Sequence, residues 1–392
     1  MSRPIYLDNN ATTPVSPRVF EAMVPYLTEH FGNPSSAYGA GRRVREAVEA
    51  ARERVAALLG AEPREIAFTS CGTESDNAAI ASALQTTGKR HVVVSAVEHS
   101  AVKVHAESLE RQGYRVTWLP VGRDGTLEPA AVEAALTGDT AIVSVMWANN
   151  ETGVLFPVRE IAERCAARGV AFHTDAVQVP GKEAIDLKST RIDYLSISGH
   201  KLHAPKGVGA LYIRRRAKFL PYLHGGHQER GRRGGTENVA SIIGLGEAAV
   251  EALEHLEEEQ TRVRALRDRF EAAVLEALPG TEVNGHRTQR LPNTSNLSFT
   301  GVHAEQVLAC LDREGICASA GSACTAGSME PSHVLTAMGV PRERALASVR
   351  FSFSRANTEA DLDRVLEVLP ALIRGLREQP LSPDELRALA AA

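Results

Sequence analysis

The sequence predicts an α/β protein in which a large domain with a mostly parallel sheet is followed by a smaller α/β C-terminal domain. Three observations lead there. Between residues 66 and 213 short β-rich apolar runs alternate with helical patterns, the rhythm of strands joined by crossover helices. Gly-rich sequence from Gly225 to Gly235 breaks that rhythm, and a long amphipathic helical pattern follows it. The length of 392 residues suggests two or three domains.

The runs read as strands are Ile66–Phe68, His91–Ser95, Ala141–Trp147, Val170–Thr174, Tyr194–Ser198 and Gly209–Ile213. Helical segments between them supply the crossovers. After Phe68, Thr73 and Asp76 have the spacing of a capping box, so a helix is expected to open there. Past the Gly-rich stretch, Leu256, Val263, Leu266, Phe270, Val274 and Leu278 make one apolar stripe among Glu and Arg. The second domain is expected to begin along that helix. Its remaining elements are the strand-like Asn293–Phe299, a loop of small residues around Cys324, the strand-like Val349–Ser354 and a terminal helix from about Glu359.

Composition narrows the function classes. Hydrophobic residues at 43% and charged residues at 23% exclude disordered and collagenous chains. The net charge of −4 has the wrong sign for a general binder of nucleic acid or anionic membrane. Only 7 of the 44 basic residues are Lys, so a Lys at an unusual position is less readily surface filler. The five cysteines include no C-x-x-C pair, which argues against a disulfide framework and a structural zinc site. Reduced thiols, no secretory leader and no membrane span are expected, hence a cytoplasmic location.

In a parallel sheet ligands sit beyond the carboxyl ends of the strands, so the residues after each run are the place to look for chemistry. The turn Thr69–Thr73 at the start of a helix suits a phosphate. Asp175 and Gln178 follow one run, and Ser198-Gly199-His200-Lys201 closes another. A lysine amine there can form a Schiff base, and a carboxylate can keep a pyridinium nitrogen protonated, the two requirements of pyridoxal phosphate. His99, just past His91–Ser95, can stack on a planar ring or relay protons. His224 and His227 are separated by two glycines and do not make a helical metal-binding face. Cys324 lies among Ser, Ala, Gly and Thr, which suits an accessible nucleophilic thiol, whereas the other four cysteines adjoin apolar or helical patterns. Arg350 sits inside an apolar strand, an unusual place for a cation unless a carboxylate pairs with it. A substrate can supply that carboxylate.

Tyr6–Thr13 (YLDNNATT), Phe31–Ser36 (FGNPSS), Phe68–Ser75 (FTSCGTES), Trp147–Gly153 (WANNETG), His173–Gln178 (HTDAVQ), Ser198–Gly207 (SGHKLHAPKG) and Ser322–Cys324 (SAC) together resemble the pyridoxal-phosphate cysteine desulfurases, nearest the nitrogen-fixation type. The resemblance implies the type I aminotransferase-like fold, with a large domain at residues 14–256 and a small domain made of 1–13 and 257–392. It implies conversion of L-cysteine to L-alanine with sulfur held as a persulfide on Cys324. Lys201 becomes the Schiff-base lysine, Asp175 the partner of the pyridine nitrogen, and His99 the residue stacked on the ring. Gly72, Thr73, Ser198 and His200 take the phosphate, with Thr236 supplied by the other subunit of a homodimer. Asn150 and Gln178 fall to the ring or its phenolic oxygen, and Asn33 and Arg350 to the substrate carboxylate. Cys324 is also a candidate transient ligand of an iron–sulfur cluster, and the sulfur acceptor is expected to be an iron–sulfur scaffold protein, in nitrogen fixation or general supply. A selenocysteine lyase or aminotransferase on the same scaffold, and a non-enzymatic sulfur carrier using Cys324 alone, are the rival readings.

Overall fold

The computed structural model describes residues 3–320 and 330–382. The chain enters through a short strand, β1 (Ile5–Tyr6), crosses to α1 (Pro17–Thr28), whose Ser16 cap accepts from the Val19 amide, and continues into α2 (Gly39–Leu58). Seven strands then build the main sheet: β2 (Ile66–Thr69), β3 (His91–Ser95), β4 (Arg115–Leu119), β5 (Thr140–Ser144), β6 (Ala171–Asp175), β7 (Tyr194–Ser198) and β8 (Gly209–Ile213). Their order across the sheet is β2-β8-β7-β6-β5-β3-β4. Neighbours from β4 to β7 pair in parallel, while β8 is antiparallel to both β7 and β2. It follows that β2 runs with β7, and the carboxyl ends of β2, β3, β5, β6 and β7 open on one edge.

Helices α3 (Gly72–Thr87), α4 (Ser100–Arg111), α5 (Pro129–Ala135) and α6 (Val158–Ala167) lie between the strands, and α7 (Val239–Glu254) packs on α2. Side chains alternate across the pleat. Val92, Val94, Ile142 and Leu211 pack with Ile80 and Leu84 of α3 and Val102 of α4 on one face. Val93, Val143 and Leu195 join Val48 and Val55 of α2 and Leu245 of α7 on the other. Burial on both faces accounts for the near-continuous apolar runs, each fully buried Val, Ile or Leu side chain contributing about 1.5–3 kcal/mol.

Beyond α7 come β9 (Thr281–Val283), β10 (Thr294–Phe299), β11 (Ile316–Cys317), paired in parallel with β1, and β12 (Ser348–Ser352). Strands β12, β10 and β9 form an antiparallel sheet. Helices Arg264–Ala277, Ala304–Arg313 and Glu359–Glu378 enclose a separate core with it, in which the Phe270 ring lies 4.8 Å from Phe351 and 5.5 Å from Phe353. Asp8 bridges to Ser352, so the first residues of the chain are held against β12.

Three expectations need correction. The strand read as Ala141–Trp147 ends at Ser144, because Met146 and Trp147 turn away over the edge of the sheet, where their amides bond Glu98 and the Asp175 carbonyl. The long helix is interrupted by a π-turn at Glu259–Val263, where buried Glu259 points back to accept from the Arg355 amide at 3.2 Å. The Thr73–Asp76 capping box is not formed: Cys71 is the N-cap, without a side-chain capping bond, and Asp76 is buried against the sheet. Glu74 instead accepts from the Ser70 amide at 2.8 Å.

Candidate active site

A cavity of about 240 Å³ opens at the shared carboxyl edge of the strands. The ends of β2, β3, β5, β6 and β7 contribute to it. The turn after β2 supplies Cys71, Gly72 and Thr73, and the turn after β3 supplies His99. Met146, Ala148 and Asn150 follow β5, while Asp175, Val177 and Gln178 come from β6 and Ser198, His200 and Lys201 from β7. Arg350 enters from β12 and Asn10 and Ala11 from the N-terminal segment.

The Lys201 amine donates to the main-chain oxygens of Asn10 and Ala11 at 2.5 and 2.7 Å. Burial, reinforced by Arg350 and Lys182, brings its pKa down to about 7, although Asp8 and Asp175 oppose the shift. It is therefore a neutral nucleophile and proton acceptor over much of the range in which an exposed lysine is inert. Asp175 accepts from the Val177 amide at 2.9 Å. Burial, with Asp76 nearby, pushes its carboxyl up to about 6. His99 caps α4, its Nδ1 accepting from the Ala101 amide at 3.2 Å, and burial lowers its pKa.

The first turn of α3 presents N–H groups to the cavity with no side-chain cap among the described residues, beside the Ser198 and His200 side chains. That is an anion-binding end. A Cβ on Gly72 would come within 2.7 Å of Val177 Cγ2, so the turn requires glycine to keep its approach. Burial and the Lys201 charge push His200 down to about 4, and its Nδ1 lies 3.1 Å from Thr12 Oγ1. Gln178 donates through Nε2 to the Asn10 oxygen at 3.0 Å.

Not every expected residue gathers here. Asn33 is exposed and outside the cavity lining, its side chain accepting from the Ser35 amide at 2.9 Å. Thr236 is also exposed and outside the lining. Cys324 lies outside the described residues. Arg350 is 2% exposed, and the carboxylate beside it is one the chain itself provides, Asp8 at 2.7 Å. Residue-by-residue reading missed the carboxyls of Asp8, Glu98 and Glu151 at the cavity and took Asp76 for a cap. Asp76 lies 3.4 Å from His173 Nε2, and Glu98 accepts from the Ser95 hydroxyl and the Met146 amide at 2.5 and 3.0 Å. Burial pushes them up to about 7 and about 8, so neither adds a full negative charge beneath Asp175 at neutral pH. His333 went unnoticed as well; it lines the cavity and donates through Nε2 to the Glu98 main-chain oxygen at 2.9 Å.

An amine, a buried carboxylate and an anion-binding helix end converging at the edge of an α/β sheet are the equipment of an enzyme that works on amino compounds. The family described as Aminotransferase class-V matches residues 5–365. The chain belongs to that family, on its cysteine desulfurase branch. It is 55% identical over 383 residues to a cysteine desulfurase of Trichormus azollae, covering 97% of this chain and 96% of that one. It is 53% identical to the cysteine desulfurase NifS of Azotobacter vinelandii, covering 95% and 93%. A solved NifS-like protein superimposes with a TM-score of 0.90 at 37% identity, over 95% of this chain and all of that one.

Proposed function

We propose that this protein uses pyridoxal 5'-phosphate to remove sulfur from L-cysteine, leaving L-alanine and holding the sulfur as a persulfide on Cys324 for iron–sulfur cluster assembly. The observation that carries the reading is the convergence of Lys201, Asp175 and the uncapped start of α3 on one cavity. That set fits the cofactor: the amine suits its aldehyde, the carboxylate its ring nitrogen, and the α3 end with Ser198 and His200 its phosphate. When bound, pyridoxal phosphate supplies a carbonyl that condenses with amines and a ring that withdraws electrons from the substrate α-carbon.

Gly72, Thr73, Ser198 and His200 hold the phosphate, with Thr236 reaching it from a partner subunit. His99 covers the ring face. Asn150 and Gln178 meet its polar edge, and Asp175 keeps its nitrogen protonated. Lys201, or His99, takes the α-proton of the substrate, and Arg350 orients the substrate carboxylate. The Cys324 thiolate attacks the substrate sulfur, the C–S bond breaks with its electrons left on the carbon skeleton, and a proton at that carbon completes alanine. A thiol reductant then releases the sulfur as sulfide.

The active unit in this reading is a homodimer. Phe20, Leu27, Phe31 and Tyr38 on and after α1 are 58–83% exposed, an apolar surface that a second copy would cover. The separate core around β10 and β12 favours a division at residues 14–256 against 1–13 with 257–392, although Leu291, Val334, Leu335, Met338 and Ala345 of the second part pack into the core of the first. Cytoplasmic placement and an iron–sulfur scaffold as acceptor belong to the same reading, and Cys324 as a transient cluster ligand extends it. Among the described residues no helix is long and apolar enough to cross a membrane. The reading is tested by loading the protein with pyridoxal phosphate and supplying L-cysteine and a thiol reductant. Alanine and sulfide are expected in equal amounts. Transfer of the amino group to a keto acid, without sulfide, would overturn it.

A further inference from the structure

The segment Asp8–Thr12 touches both ends of the cavity at which a substrate must be held. At one end Asp8 accepts from Arg350 Nη2 at 2.7 Å, while Arg350 Nη1 donates to the Asn150 main-chain oxygen at 2.9 Å. At the other, only two and three residues later in the chain, the Asn10 and Ala11 oxygens receive the Lys201 amine at 2.5 and 2.7 Å. The segment is fastened to β12 beside Arg350. Asn9 Nδ2 donates to the Ser352 oxygen at 2.8 Å, the Asn10 amide to Ser352 Oγ at 2.9 Å, and the Ser352 amide to the Leu7 oxygen at 2.7 Å. Neither the guanidinium nor the amine can shift far without the segment between them.

A buried guanidinium is held in register by an anion and by main-chain acceptors of fixed geometry. Asp8 is that anion, and it is 17% exposed where Arg350 is 2% exposed, so it stands on the more open side of the pair. We propose that Asp8 is a positioning residue for the substrate carboxylate: it sets the orientation of the Arg350 fork and, through the segment it begins, the distance from that fork to the Lys201 amine. This rests on the reading of Arg350 as the carboxylate-binding residue. The charges about the amine agree with it, since Arg350 and Lys182 disfavour the protonated form while Asp8 and Asp175 favour it.

The test is Asp8→Asn in the cofactor-loaded enzyme, with Asp8→Glu as the conservative variant and Arg350→Ala as the control. Three quantities are measured: KM and kcat for L-cysteine, the Kd of L-alanine by calorimetry, and the affinity for pyridoxal phosphate. Asp8→Asn is expected to raise KM and the alanine Kd about tenfold, with cofactor affinity within about twofold of wild type, and Asp8→Glu to recover part of the loss. Removing the anion is also expected to lower the pH midpoint at which the cofactor-free protein captures pyridoxal phosphate, an effect that loss of packing alone does not produce. If Arg350→Ala raises KM and Asp8→Asn leaves KM and the alanine Kd unchanged, the positioning role is overturned while the assignment of Arg350 stands. If Arg350→Ala leaves KM unchanged, that assignment itself fails. A drop in cofactor affinity matching the rise in KM would also overturn the proposal, because the segment would then be supporting the whole site.

Discussion

Lys201→Ala is expected to bind pyridoxal phosphate only reversibly and to lose desulfurase turnover by about 10³-fold or more, since in the proposed reading it removes the anchoring amine and one of the two candidate acceptors of the α-proton, the other being His99. In wild type, borohydride should fix the cofactor irreversibly to the peptide containing Lys201, and in the variant to no peptide. Fixation at the neighbouring Lys206 would show that the anchor has been misassigned. The pH dependence has a definite sign. Burial and the Arg350 charge bring the Lys201 amine down to about 7, so the neutral form that attacks an aldehyde grows as pH rises through 7. Capture by wild type should therefore reach half its plateau near pH 7, against about 10.4 for an exposed lysine.

Asp175→Ala should have the next largest effect. The carboxyl is 5% exposed and pushed up to about 6, so at pH 7 it is mainly ionised, and a ring cation beside it would favour that form further. Asp76 and Glu98 are weaker substitutes, because burial pushes them higher still, to about 7 and about 8, which leaves Asp76 about half ionised and Glu98 mainly neutral at that pH. Loss of Asp175 removes the most acidic of these three carboxyls, the one best suited to keep a ring nitrogen protonated. Exchange of the α-proton of L-alanine with deuterated solvent should slow by about 10²- to 10³-fold, with weaker cofactor retention. Exchange at the wild-type rate would remove Asp175 from the mechanism.

What the sequence disclosed about the fold follows from burial. His91–Ser95, Tyr194–Ser198 and Gly209–Ile213 coincide with β3, β7 and β8 because both faces of these strands are covered and every position must be apolar or internally bonded. Strand β4 went unread because it is an edge strand, exposed at Arg115 and half-buried as far as Trp118, and such a strand need not be an apolar run. The site residues at strand exits, Asp175, Ser198, His200 and Lys201, could be found because topology puts them on one edge. Asp76 was misread because its spacing from Thr73 fits a cap while its side chain faces the sheet. The pairing of Asp8 with Arg350 spans 342 positions, and no local pattern encodes it. Arg350 showed that an anion was needed without showing which residue supplies it.

The claim that sulfur leaves L-cysteine onto a thiol of this chain is tested most directly by mass spectrometry of the wild-type, cofactor-loaded protein after brief exposure to L-cysteine without reductant. One added sulfur atom is expected on the peptide containing Cys324, absent in Cys324→Ala, which should still bind the cofactor and L-cysteine. Added sulfur on Cys71 or Cys317 instead, or a Cys324→Ala protein that releases sulfide at the wild-type rate, would contradict the account.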